Sequence, residues 1–298
     1  MTALLRFLLL LVLAVVAGGV AFNVAAYSGA ARYRRRHSPA CPLDADDPPP
    51  WLTRASGWLA AFVSECGVTV LLSLTVPLAV GRRRVRRLAE GASRRPVVLL
   101  HGYGQHAANF LWLVRQLRRD GWRDLYSVGH TPLFGDLERS AARLARAIDR
   151  VRRESGAPEV DVIAHSMGGL VARACVRMRG AGSGVARLVT LGTPHQGTLA
   201  FRWLGRDPMV GQMRPDSPFL RRLGAEDPVP ALVDCIAIYS ADDAVVVPAA
   251  AGYYPGAFNI EVRGLGHMSL LFSRRVYELV RENLAAERNE AAARQARS

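Results

Sequence analysis

The stretch Val160-Asp161-Val162-Ile163-Ala164-His165-Ser166-Met167-Gly168-Gly169 constrains this chain more than any other. A mostly apolar run of strand length stops at a serine, and glycines follow at once. A short apolar run bounded in this way reads as a strand buried on both faces of a parallel sheet. Where such a strand enters a helix through a sharp turn, the turn residue is lifted clear of the sheet. In the pattern G-x-S-x-G that residue is a nucleophilic serine. Strand and helix approach closely there, so small residues are needed two places before and two after the serine. Those places hold Ala164 and Gly168, and the first departs from the glycine of the pattern.

The flanking sequence supplies the alternation that such a sheet requires. Pro96-Val97-Val98-Leu99-Leu100 is a second apolar run, ended by His101-Gly102-Tyr103-Gly104. An amphipathic stretch from Ala107 to Arg119 ends at Asp120-Gly121, and Leu125 to Val128 follows as a strand. Leu137 to Arg153 places Leu137, Ala141, Leu144, Ile148 and Val151 at helical spacing, with arginines on the opposite face. Beyond the serine, Gly168 to Met178 reads as a helix and Val185 to Leu191 as a strand. Cys235 to Tyr239 and Asn259 to Val262 read as two more strands, and Leu270 to about Ala285 as a last helix. Strands alternating with helices predict an α/β fold, a mostly parallel sheet with helices on both faces. The domain so predicted covers residues 96–285, and residues 286–298 form a charged tail.

Three further places complete a chemistry for Ser166. Acyl transfer needs two N–H donors for the oxyanion, one from the residue after the nucleophile and one from the loop after an early strand. Those are Met167 and Tyr103, with the glycines of the loop allowing a tight turn. Tyr239-Ser240-Ala241-Asp242-Asp243 is a strand ending in loop carboxylates, and either aspartate can hold an imidazole. Asp161 suits the task less because it lies inside the nucleophile strand. Arg263-Gly264-Leu265-Gly266-His267-Met268-Ser269 carries a glycine-flanked histidine after the last strand. A general base must reach the serine with one ring nitrogen and an orienting acid with the other. Of the seven histidines, His267 follows both serine and aspartate, in the order Ser…Asp…His. His195, in Gly192-Thr193-Pro194-His195-Gln196-Gly197, is the rival base, but it precedes the aspartates.

Together these motifs resemble those of bacterial lipases and esterases of the α/β-hydrolase superfamily. The Ala-x-Ser-x-Gly elbow is similar to that of the small Bacillus-type lipases. The resemblance extends over about residues 96–282 and implies a catalytic triad of Ser166, Asp243 and His267, choosing Asp243 over Asp242. It implies Tyr103 and Met167 as the oxyanion donors and cleavage of carboxylic esters of lipids through an acyl-enzyme. No cofactor or metal is implied, since no carboxylate cluster argues for the calcium that some larger lipases bind. Acyl transfer on the same triad, or a non-catalytic scaffold on a hydrolase fold, are the competing readings. The segment Leu199 to Val233 is longer than a minimal lipase needs. Its Phe201, Trp203, Leu204, Met209, Phe219 and Leu220 either line an acyl pocket or lid, or belong to a surface excursion with a core-facing helix.

The N-terminal third has another character. Phe7 to Tyr27 is interrupted by Asn23 alone and is long enough, as a helix, to cross a ~30 Å hydrocarbon layer. Residues 1–30 are therefore expected as a transmembrane anchor rather than a cleaved signal peptide, with Arg32, Arg34, Arg35 and Arg36 following as a stop-transfer cluster. An Arg/Pro-rich linker occupies 31–57, a second hydrophobic helix 58–81 and an Arg-rich linker 82–95. Glu65 sits within the second helix, which reads as a second span, an interfacial helix or a helix packed over the domain, the span being favoured. All 39 basic residues are arginine and the net charge is +14. Thirteen of those arginines, against five acids, fall in residues 1–95, around the apolar segments. This distribution points to a membrane partner, the catalytic domain on the cytoplasmic side of a bacterial inner membrane, and not to nucleic acid, for which no zinc-finger or RNP signature is present. The four cysteines show no Cys-x-x-Cys pair, and Cys66, Cys175 and Cys235, in apolar runs, read as small core or membrane residues.

Overall fold

Residues 3–37, 50–73, 86–89, 94–129, 135–200, 207–225 and 233–286 are described by a computed structural model. Within them the expected parallel sheet forms. Its strands are β1 (Arg86–Ala89), β2 (Val97–Leu100), β3 (Leu125–Val128), β4 (Val160–His165), β5 (Val185–Leu191), β6 (Asp234–Ser240) and β7 (Phe258–Val262). They lie in the order β1-β3-β2-β4-β5-β6-β7, and every pairing except β1 with β3 is parallel. Strand β1 falls in the segment read as the 82–95 linker. Its sequence, Arg-Arg-Leu-Ala, lacks the apolar alternation by which strands are recognised, and its antiparallel place at the sheet edge does not demand one.

Helices cover both faces for a reason visible in β2. Successive side chains of a strand point to opposite faces. Val97 and Leu99 pack with α3 (Leu111–Arg119) and α8 (Arg274–Ala285), whereas Val98 and Leu100 pack with α4 (Leu137–Ser155) and α5 (Met167–Arg179). All four are fully buried. Helix α4 begins where Asp136 accepts a hydrogen bond from Arg139 N at 2.8 Å and ends at Gly156, whose φ of 72° suits glycine. The last helix starts at Arg274 rather than Leu270, because residues 269–272 form a tight 3-10 turn under the histidine loop.

Two short helices, α6 (Pro208–Gln212) and α7 (Pro218–Ala225), occupy the long insert. Met209, Phe219 and Leu220 are buried in the core beside α5, so these three serve packing rather than an acyl pocket. Phe201, Trp203 and Leu204 lie outside the described residues.

The N-terminal segments form α1 (Ala3–His37) and α2 (Pro50–Ser73). Among the described residues no helix is long and apolar enough to cross a membrane, so the anchor expected over 1–30 and the span favoured within 58–81 find no support. Polar groups interrupt both segments, and the structure uses those groups in packing. Asn23 Nδ2 donates to Thr69 Oγ1 at 3.1 Å, joining α1 to α2. Tyr27 meets Trp58 and Phe62 edge-on at centroid distances of 5.1 and 5.3 Å. Tyr27, Ala30 and Ala61 bury themselves with Ala244 and Val247 of the C-terminal domain. The packed-helix alternative for α2 is therefore the one observed. Residues 38–49 of the linker, 74–81 of the second hydrophobic segment and 287–298 of the tail lie outside the described residues.

Candidate active site

The strand-to-helix turn between β4 and α5 forces Ser166 into φ 56°, ψ −131°, a left-handed backbone that among the described residues no other non-glycine residue adopts. Such a conformation costs on the order of 1–3 kcal/mol and persists only where the surroundings impose it. They do so by hydrogen bonds: Ser166 N donates to Leu191 O at 2.9 Å, and its carbonyl accepts from Gly169 N and Thr193 Oγ1, each at 2.9 Å. The steric demand inferred for position 168 is real. A Cβ on Gly168 would lie 2.6 Å from the carbonyl oxygens of both Leu100 and His101.

Three loops at the C-terminal ends of the strands then converge. His267 Nε2 lies 2.8 Å from Ser166 Oγ and its Nδ1 lies 2.7 Å from Asp243 Oδ2. The arrangement lets Ser166 donate to the imidazole and the imidazole donate to the carboxylate. The other oxygen of Asp243 accepts from Val245 N at 2.7 Å and Val246 N at 3.0 Å, which fixes the acid. Asp242 does something different: its Oδ2 accepts from Gly264 N at 2.7 Å, tying down the start of the histidine loop. The two aspartates that the residue pattern left open thus have separate partners. Ser166, His267 and Asp243 are all buried.

The electrostatics suit a base. Burial alone would lower the His267 pKa, but the Asp243 carboxylate, by charge and hydrogen bond, and Glu65 by charge carry it above the ordinary imidazole value. The rival base His195, and His165 beside the serine, are both disfavoured as cations. His195, stacked on Tyr254 at 4.4 Å, faces Thr190 Oγ1 at 2.9 Å and the Arg173 guanidinium; burial and that cation push its pKa well below the usual range. His165 lies between Gln105 Oε1 and the His267 carbonyl, and burial and the His267 charge depress it likewise. Asp161 is paired with Arg95 at 2.8 Å, away from this chemistry.

The sequence-predicted oxyanion donors flank the serine. Met167 is the first residue of α5, where a backbone N–H has no partner within the helix. The loop bearing Tyr103 rests against the nucleophile so closely that a Cβ on Gly102 would come within 2.7 Å of Ser166 Cβ. Gly102 N donates to Gln105 Oε1 at 2.9 Å, and Tyr103 Oη donates to Asp207 Oδ2 at 2.7 Å. Burial and the Asp207 hydrogen bond raise the Tyr103 pKa, so the phenol keeps its proton. A cavity of about 300 Å³ opens over Ser166 and His267, with Phe22 and Leu72 of the N-terminal hairpin and Tyr103, Met213, Val246 and Met268 in its walls. Among the described residues no His, Cys, Asp and Glu cluster is placed to hold a metal ion.

Four residues at this site were not singled out from sequence for a role in it: Gln105, Thr193, Asp207 and Glu65. The first three are ordinary polar residues on connections. Glu65 did leave a signal, a carboxylate inside an apolar stretch, which hydropathy alone reads as a membrane anomaly.

This fold and this placement of serine, histidine and aspartate define the α/β-hydrolase architecture. A family model described as palmitoyl protein thioesterase matches residues 96–223. Among solved structures, the chain is similar to lipase B of Aspergillus fumigatus at 19% identity and TM-score 0.60, over 68% of this chain and 56% of that one. It is similar to a mature Bacillus licheniformis lipase at 17% identity and TM-score 0.58, over 68% of this chain and 98% of that one. An esterase from Exiguobacterium antarcticum matches at 16% identity and TM-score 0.50, over 68% of this chain and 95% of that one. At such identities the likeness establishes the fold.

Proposed function

We propose that this chain is a serine hydrolase of the lipase or esterase type, cleaving carboxylic esters of lipids. The observation that carries the reading is the continuous Ser166–His267–Asp243 hydrogen-bonded chain, 2.8 and 2.7 Å long at its two links, at the floor of a largely apolar cavity. Ser166 Oγ attacks the ester carbonyl while His267 Nε2 takes its proton. The oxyanion gathers at the N–H groups of Tyr103 and Met167. Collapse expels the alcohol, which receives the proton from His267, and water then attacks the acyl-enzyme by the same sequence. Asp243 holds the imidazole in the tautomer this requires. The family match brings a thioester forward as a second acyl donor for the same steps.

A membrane partner belongs to this proposal in a modified form. Leu10, Leu13, Val20 and Val24 of α1 and Leu59, Val63 and Leu71 of α2 are exposed. Large exposed apolar side chains gathered on one helical pair mark an interaction surface. We place it against a lipid surface, which would hold the cavity beneath the hairpin near its substrate.

Replacing Ser166 with Ala should reduce hydrolysis of p-nitrophenyl esters on the order of a million-fold in kcat, as loss of a triad nucleophile does. A fluorophosphonate probe should label folded wild-type protein at Ser166 and leave the variant unlabelled. Absence of labelling in the wild type, with activity retained in the variant, would refute the assignment.

A further inference from the structure

Glu65 lies on α2, far in sequence from the hydrolase motifs and outside residues 96–223. It is 2% exposed. A buried carboxylate is costly unless hydrogen bonds and a nearby positive charge compensate it. Both compensations come from the histidine loop. Met268 N donates to Glu65 Oε1 at 2.7 Å and Oε2 at 2.9 Å, and Ser269 donates to Oε2 through its N–H and its hydroxyl, each at 3.0 Å. These are the two residues that follow the general base. The neighbouring Ser64 Oγ lies 2.9 Å from Ser269 Oγ. On the other side of His267, Gly266 leaves room for the contact: a Cβ there would fall 2.5 Å from Glu65 Oε2 and 2.8 Å from Tyr27 Oη. Glu65 also lines the cavity that holds Ser166 and His267.

A helix serving only to cover the domain would place an apolar residue at this point. A carboxylate there acts on the loop in two ways. It fixes the backbone on the C-terminal side of His267, as Asp242 fixes Gly264 on the N-terminal side. It also sets a negative charge near an imidazole that must become imidazolium when Ser166 attacks. We propose that Glu65 is a positioning residue for the general base, holding the His267 loop through Met268 and Ser269 and supporting the imidazolium by its charge. The N-terminal hairpin is thereby part of the active site. This rests on the hydrolase reading of Ser166.

The groups facing this pair are few. His267 is flanked by Asp243, Glu65, Ser166 and the neutral His165, whose ring lies 4.7 Å from it. Glu65 is faced by His267, Asp243, the Tyr27 phenol and the Cys66 thiol, with Asp242 beyond Tyr27. Burial and the Asp243 charge carry the Glu65 pKa above the ordinary carboxylate value, against the opposing pull of His267 and the two N–H donors. Its charge favours the protonated imidazole. Removing that charge must therefore move the acid limb of kcat/KM, which reports His267 in the free enzyme, to lower pH.

The test uses the full chain with Glu65→Gln and Glu65→Asp, assayed on a p-nitrophenyl ester across pH. Glu65→Gln should lower kcat by about tenfold or more at little change in KM and shift the acid limb down by about half a unit or more. Glu65→Asp keeps the charge and should leave the limb in place while kcat falls severalfold. A limb that stays put in the Gln variant, or moves equally in both, overturns the proposal and shows packing alone. Should the Gln variant fail to fold, the Asp variant decides: reduced kcat at an unmoved limb supports the role, and wild-type kcat or a moved limb overturns it. Failure of the hydrolase reading looks different, for then wild-type protein itself neither labels with a fluorophosphonate nor turns over ester.

Discussion

Replacing Gly168 with Ala tests whether close backbone approach builds the elbow. The added Cβ would sit 2.6 Å from two carbonyl oxygens, Leu100 O and His101 O, where ordinary contact begins at 3.4 Å. The atoms it meets are backbone at the end of β2, so no side-chain rotation relieves the clash. Strand β2 and helix α5 must separate by about 0.8 Å. Overpacking of this kind costs about 1–3 kcal/mol, and the upper end applies where the neighbours are backbone. For a domain of this size about 3 kcal/mol lowers Tm by roughly 6–12 °C. The same separation moves the loop bearing Tyr103 away from Ser166, and a displacement approaching 1 Å at a reacting centre costs about a hundredfold in rate. Thermal unfolding and kcat/KM on a p-nitrophenyl ester read the two effects. Gly67→Ala is the control: Gly67 lies in α2 with nothing within 4 Å of its added Cβ, so the variant should gain about 0.5–1 kcal/mol. A Gly168→Ala protein with Tm within about 2 °C of wild type and kcat/KM within about threefold would refute the reasoning.

The aspartates should separate in the same assay. Asp243→Asn breaks the partner of His267 Nδ1 and should cost about 10⁴ in kcat, while Asp242→Asn, which weakens only the bond to Gly264 N, should cost about tenfold or less; equal losses would contradict the division of roles. Wild-type kcat/KM should rise with pH through a value above the ordinary imidazole pKa of about 6.5, because Asp243 and Glu65 outweigh burial at His267, and an acid limb below that value would count against the charges assigned. Phosphatidylcholine vesicles should carry the protein upward in a flotation gradient, and Leu59→Asp with Val63→Asp should leave it at the bottom with Tm unchanged; flotation unaffected by the pair would remove the lipid surface from the proposal.

The central strands were legible because β2, β4 and β5 are buried along their whole length and so appear as short, mostly apolar runs. The strands expected from Val185 to Leu191 and from Leu125 to Val128 are those observed. The charged edge strand β1 was hidden for the opposite reason. At the site, spacing along the chain brought out the serine, the aspartate pair and the histidine, since each stands just after a strand. Spacing could not tell Asp243 from Asp242, because adjacent residues on one loop differ only in where their carboxylates point. Thr193 was invisible because it acts on a backbone atom that no pattern records, and Gln105 because only the fold brings it to Gly102 N and the His165 ring.

The N-terminal hairpin was misread for a more instructive reason. A hydropathy scan counts Ser64, Glu65 and Thr69 as interruptions in an apolar segment. In three dimensions they are its contacts: Ser64 and Glu65 reach Ser269 and Met268, and Thr69 meets Asn23 of α1. Leu59, Val63 and Leu71 point outward instead. Helix α2 therefore turns Glu65, together with Ala61 and Leu72, toward the protein and leaves Leu59, Val63 and Leu71 exposed. A surface helix in water gains nothing from that arrangement, since each exposed leucine forgoes on the order of 1.5–3 kcal/mol of burial. Those exposed side chains become favourable on the proposed lipid surface, while Glu65 on the inner face holds the His267 loop. The carboxylate that hydropathy reads as an interruption of an apolar segment is then the group through which the hairpin holds the loop of His267.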